Sequence, residues 1–383
     1  MTIRPRLSLL LPSLMLVPLL GCGDDATPVD LGVELGMDGG VDMAMPIDEG
    51  VDEGVEAGPE MQVDEGVDEG MDEGVEMEMA VDMGTPCEGP PDLYSDANCE
   101  VISEGIRAFE PAVWLWTDGI DKQRYIRLPE GERINTEDPD NWIYPVGTQA
   151  WKTFSLDGVR LETRYFEKIR DTPGLDGWAM RTFAWNEEQD AVEELTVGRD
   201  NVLGTNHDIP SFSMCVQCHA ATSRADVLNS FTAIQLNHPD TDFDLAELND
   251  DDWLTDPIPL EDAQYPGNDM TSEALGYLHA NCGNCHGNRS APSGLRFWVN
   301  VGTARVMETD TFTTAVGVDS FRVDGDATVR IVPGNADDSV VIRRMSSRDI
   351  ILQMPPIGTE IVHDEGVDLI RDWINSLRPL PPE

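Results

Sequence analysis

Tyr277-Leu278-His279-Ala280-Asn281-Cys282-Gly283-Asn284-Cys285-His286 decides how the rest of the chain is read. Cys-x-x-Cys-His is the attachment signature of c-type haem: the two thiols add to the two haem vinyls and the adjacent imidazole ligates iron. Both thiols and the ring must converge on one side of one porphyrin, which a single helical turn allows. The preceding residues predict that helix. Thr271 and Ser272 are capping types, Glu273 falls in the first turn, and Leu275, Leu278, Cys282 and Cys285 follow 3, 4, 3 spacing.

The pattern occurs a second time, 67 residues earlier, as Cys215-Val216-Gln217-Cys218-His219. The two Cys pairs and their His residues also meet the four-ligand count of a zinc site. The downstream sequence supplies what a haem requires next. Met354, in Gln353-Met354-Pro355-Pro356-Ile357-Gly358-Thr359, stands beside two prolines that stiffen the backbone and present the thioether on an extended loop. A Met opposite the proximal His raises the potential of a c-type haem. Val367, Ile370, Ile374 and Leu377, with Trp373 beside them, then predict a closing helix. Motif helix, intervening segment, Met loop and closing helix give the order of a small cytochrome c domain over 262–383.

The first motif, in the segment 201–261, has a proximal ligand in His219 and no obvious distal one. Met214 abuts Cys215 too closely to reach the opposite face. His207, His238 and Met270 are the candidates, and the eight residues from His207 to Cys215 can span ~26 Å, enough to pass around a porphyrin edge. An empty sixth position is the alternative, leaving an iron able to bind a small molecule.

Between 87 and 200 the pattern is β-rich. Strand-like runs fall at 125–128, 151–156, 163–169 and 178–185. Pro129-Glu130-Gly131, Asp157-Gly158 and Pro173-Gly174-Leu175-Asp176-Gly177 punctuate them. With no helical pattern between, these predict an antiparallel sandwich or barrel-like domain. Six of the nine Trp lie here and are expected mainly in its core. No Ser/His/Asp set, dinucleotide fingerprint or phosphate loop is found.

The front of the chain reads differently. Residues 1–21 read as a signal peptide: Arg4 and Arg6, an apolar run from Leu7 to Leu20, then Leu19-Leu20-Gly21-Cys22, a lipidation box with Cys22 as the acylated residue. The run is shorter than the ~20 residues needed to span a bilayer. Residues 22–86 read as a disordered acidic tether, repeating Val-Asp-Glu-Gly with 21 acidic residues and no Lys or Arg. Its carboxylate spacing fits no calcium loop, and copper capture by its eight Met is a weaker alternative. Of the chain's 73 acidic residues, 52 lie outside this tether against 25 Lys and Arg, which argues against nucleic acid and favours a redox partner with a basic face. Cys87 and Cys99 are the two cysteines left over, and an exported chain lets them pair.

The chain resembles a group of diheme c-type cytochromes, often lipoproteins, with a β-rich front half and a cytochrome c domain behind. Trp114 to Leu377 carry the likeness, through Tyr144-Pro145-Val146-Gly147-Thr148, Trp151-Lys152-Thr153-Phe154, Glu162-Thr163-Arg164 and His207-Asp208-Ile209-Pro210. Both haem motifs, Val332-Pro333-Gly334 and the Met354 loop continue it. The resemblance implies two covalently attached haem c groups and electron transfer outside the cytoplasm, in the periplasm or at the outer-membrane surface. Cys215, Cys218, Cys282 and Cys285 would attach the haems, and His219, His286 and Met354 would ligate iron, with His207 a further candidate. A peroxidase-like oxidoreductase and a docking module that delivers a cytochrome to its partner are the alternatives.

Overall fold

The structure is a computed structural model and describes residues 87–219, 226–241, 243–287 and 294–379. Cys22, the signal segment and the acidic tether lie outside them. No helix among the described residues is long and apolar enough to cross a membrane.

Six strands form one antiparallel meander: β1 (Arg107–Ala108), β2 (Asp121–Arg127), β3 (Gln149–Leu156), β4 (Val159–Lys168), β5 (Trp178–Trp185) and β6 (Val192–Leu195). The Asp157-Gly158 pair makes the tight β3–β4 turn, both residues at positive φ, the geometry of a two-residue hairpin. The sheet is open, and among the described residues no second sheet packs on it as a sandwich would require. Alternating side chains show that both faces are buried, but the alternation carries no information on what buries them.

The two faces are covered by unlike elements. Tyr125, Trp151, Tyr165, Phe183 and Trp185 point one way and pack with Leu93 and Tyr94. These belong to the loop closed by the Cys87–Cys99 disulfide, whose Cα atoms are 5.4 Å apart. Ile126, Phe166 and Trp178 point the other way, into a cluster shared with residues from 227 onward, while Phe154 and Ala184 join a smaller cluster with Val202 and Ile209. The larger cluster takes in the short helices α2 (Ala233–Leu236) and α3 (Leu245–Asp250), which follow α1 (Phe212–His219). It also takes in Ala274, Leu275 and Leu278 of α4 (Asp269–Asn281). Tucked against these, after α5 (Asp310–Ala315), hairpin β7–β8 (Asp319–Asp324, Ala327–Val329) and α6 (Val340–Met345), comes α7 (Asp364–Ser376).

Helix α7 buries Val367, Ile370, Trp373 and Ile374 on one stripe; each such side chain contributes roughly 1.5–3 kcal/mol by leaving water. Trp373 is at the centre of that stripe rather than beside it. Helix α4 starts two residues ahead of Thr271: the Asn268 side chain accepts the Thr271 N–H. Asn caps as well as Ser or Thr, and the cap lies three residues ahead of the Thr271 expected from the sequence. The helix ends at Asn281, and Cys282 is its C-cap.

Of the six front-half Trp, Trp142, Trp151, Trp178 and Trp185 are buried. Trp114 is exposed, in a non-strand segment. A buried ion pair fastens the chain behind α1 to the sheet. Asp226 accepts from Lys168 Nζ, from Trp178 Nε1 at 2.8 Å and from the Tyr144 N–H at 2.9 Å.

Candidate functional site at the meeting of two cysteine motifs

The first motif occupies most of α1, which begins directly after Pro210-Ser211, since Pro at a helix entrance forfeits no intrahelical bond. None of its residues is fully buried. His219 donates its Nδ1–H to the Val227 carbonyl at 2.7 Å, with the edge of Phe166 against its ring. A carbonyl can only accept, so Nδ1 carries a hydrogen and the ring orientation is fixed from that side.

The second motif lies in the turn that continues from α4, not on the helix itself. The Cys282 N–H still reaches the Leu278 carbonyl at 2.9 Å, while the Cys285 and His286 N–H groups fold back on the Cys282 carbonyl at 3.1 and 2.8 Å. Gly283 is required by space: a Cβ there would collide with the carbonyls of His279 and Phe297. Asn281 holds the turn from outside. It accepts the Trp116 N–H at 2.7 Å and donates to the carbonyls of Trp114 and Tyr277 at 3.2 and 3.1 Å. Trp116 then stacks on His363 at 4.0 Å and donates to the Ile361 carbonyl, so the 114–118 segment braces both the second motif and the end of the Met354 loop.

The two motifs meet. Cys285 Sγ lies 3.7 Å from Cys218 Sγ although 67 residues separate them. The S–H that Cys285 donates favours the Cys218 thiolate, holding Cys218 below the ordinary thiol value and Cys285 above it. Burial pushes Cys282 up to about 12 and Cys215 up as well, and lowers His286.

Beside this contact is a cavity of about 540 Å³, within the range of cofactor and ligand sites. Cys215, Cys218, His219 and Cys285 line it, as do His207 and most of the Met354 loop: Gln353 and Pro355 through Glu360. Met354 itself is half-buried and not on the wall; its N–H bonds the Arg344 carbonyl at 3.0 Å.

The distal candidates separate. His238 is engaged at both ring nitrogens, donating to the Glu110 carbonyl and accepting the Asp240 N–H. Met270 is exposed in the first turn of α4, and neither lines the cavity. Met214 does line it, from the position next to Cys215. His207 lines it too, but its Nε2 donates to Glu162 Oε1 at 2.9 Å and its ring stacks on Phe154. Burial works to raise Glu162, but the Arg164 guanidinium and the His207 bond outweigh it, and its carboxyl lies below the usual range.

The sheet side of the cavity was not legible as a site. Arg124, Lys152 and Arg164 all line it. They are direct cross-strand neighbours on β2, β3 and β4.

At the first motif the donor set and the space fit a c-type haem, with paired thiols beside an imidazole on the wall of a cavity of suitable volume; of the second motif Cys285 reaches that wall, while Cys282 and His286 do not line it. Among the described residues no three His, Cys, Asp or Glu side chains are gathered as a metal ion would need, so the zinc alternative finds no four-ligand set there. No protein-family model, curated protein or solved structure matches this chain.

Proposed function

We propose that this chain is a two-haem electron-transfer protein, exported and anchored through lipid at Cys22. One observation carries the reading: two Cys-x-x-Cys-His motifs far apart in sequence lie with thiols 3.7 Å apart, beside one cavity lined from both motifs. Cys215 and Cys218 would attach the first haem and His219 would ligate it; Cys282, Cys285 and His286 would do so for the second, with Met354 as a further candidate ligand. Haem bound there supplies a one-electron iron couple.

The residues around it do the rest. Val227 fixes the orientation of the His219 ring. Asn281, Gly283 and Trp116 fix the turn that carries the second motif, and the thiols of Cys218 and Cys285 meet with no intervening protein layer. Phe166 and Phe297 set their ring edges against His219 and His286, limiting water near each ligand and so tuning the potential.

Intact mass and a reduced visible spectrum, on protein expressed with a haem-attachment system, test the proposal. The expected result is a mass increment of two haems with sharp low-spin bands. A mass without haem sinks it. Met354→Ala lowers the potential of one haem and leaves the other in place; unchanged potentials overturn that ligand assignment.

A second reading, a peroxidase-like oxidoreductase, is favoured by one feature: His207 is tied to Glu162, which favours a first iron without a distal side chain. A high-spin component and carbon monoxide binding would bring that reading to the front.

A further inference from the structure

In a chain of formal net charge −48, the sheet face toward the cavity is cationic. Strand register sets Arg124 opposite Lys152 and Lys152 opposite Arg164, with Lys122 two residues before Arg124 on the same face. Like charges directly opposite on a sheet are destabilising, and burial sharpens the repulsion. Arg124 and Lys122 are 3% and 4% exposed.

The counter-charges are too few. Glu162 is taken by Arg164, which reaches its two oxygens at 2.6 and 3.1 Å, and by His207. Glu110 stands 3.7 Å from Arg124. Lys122 donates to the Ile120 carbonyl. Lys152 has no carboxylate partner among the described residues and lies over the Phe154 ring at 4.9 Å. Burial, then repulsion from Arg124, Arg164 and Lys122, pushes its amine well below the ordinary range. Acidic side chains do reach the cavity at Asp118, Asp200, Asp208 and Glu360, but on its solvent side. Asp118 is occupied by the N–H groups of Glu360 and Ile361, and Asp208 by that of Asn201.

We propose that the Arg124–Lys152–Arg164 row is a carboxylate-binding floor, completed by an anionic ligand in the cavity. Two sources share this chemistry: the two propionate groups of a haem held at Cys215 and Cys218, or a small free dicarboxylate. With the haem as source, the inference rests on the function proposed above; with a free dicarboxylate it does not.

Haem content by mass is measured first, so failure of haem attachment is read separately. Redox titration then compares the native chain with Lys152→Met and Lys152→Arg, and calorimetry titrates succinate into each. If haem carboxylates occupy the floor, Lys152→Met lowers the potential of one haem, Lys152→Arg restores it, and succinate gives no binding heat. If a free dicarboxylate does, succinate binds the native chain, Lys152→Met weakens it at least tenfold, and the potentials do not move. Arg124→Gln replaces Lys152→Met in both arms should that variant fail to fold. Neither potential nor succinate affinity changing overturns the proposal.

Discussion

The two Cys-x-x-Cys-His motifs share a pattern and are held by opposite means. The second hangs from α4, seven of whose thirteen residues are buried, and its Gly283 is pressed between two carbonyls. The first sits on α1, with no fully buried residue, beside a charged cavity floor and fastened behind by Asp226. One is positioned by helix packing; the other by polar contacts to a sheet. An identical sequence motif therefore need not imply a repeated domain. A motif fixes ligand type and spacing, while burial and charge are set by whatever the topology brings to it.

The largest effect expected is loss of a prosthetic group. Cys215→Ser with Cys218→Ser removes one haem increment from the intact mass, and Cys282→Ser with Cys285→Ser removes the other; retention of both by either variant would break the comparison at its root. The next tests the anchorage of the first region. Asp226→Ala strands the buried Lys168 ammonium and the Trp178 N–H, at a cost of about 3–5 kcal/mol. Chemical denaturation measures it, and a loss under 1 kcal/mol would mean that this contact does not fasten the motif.

Lys122, on the same sheet face as the cationic floor, adds a pH effect of about 3 kcal/mol at most. Lys122 is lowered from its ordinary 10.5 to about 8, chiefly by burial. Between those values the unfolded chain binds the extra proton, so folding stability should rise with pH from about 8 to 10.5. Lys122→Met should flatten the rise. A carboxylate ligand on the floor should shrink it in the native chain, which makes the slope a gauge of occupancy.

Much of the fold was open to sequence reading. β5 runs over the residues its alternation predicts, Trp178–Trp185, and α7 follows its apolar stripe. What escaped depends on register and tertiary contact. Trp151-Lys152-Thr153-Phe154 and Glu162-Thr163-Arg164 were visible as motifs, yet nothing in either says that Lys152 faces Arg164, or that Arg124 completes the row. Cross-strand register is fixed by turn geometry and by which face is buried. Neither is written beside the residues concerned. Asp226 looked like any acidic loop residue, because its partners Lys168, Trp178 and Tyr144 come from distant positions. The cover of the sheet was misjudged for the same reason: alternation reports burial, not the burying element.

The smallest effect sharpens the comparison most, because it is confined to the second region. Asn281 makes three hydrogen bonds from the last residue of α4, and Asn281→Ala leaves the Trp116 N–H and two carbonyls to find other partners. The expected loss is about 1–3 kcal/mol. Because Trp116 stacks on His363 and bonds the Ile361 carbonyl, freeing its backbone loosens the end of the Met354 loop together with the second motif. The first motif keeps its Val227 anchor. In the haem-loaded variant the change should therefore appear at one haem, as a shifted potential or a broadened band assigned by comparison with Met354→Ala. An equal disturbance of both would mean that the 3.7 Å contact between Cys218 and Cys285 couples the two sites mechanically as well as bringing them together.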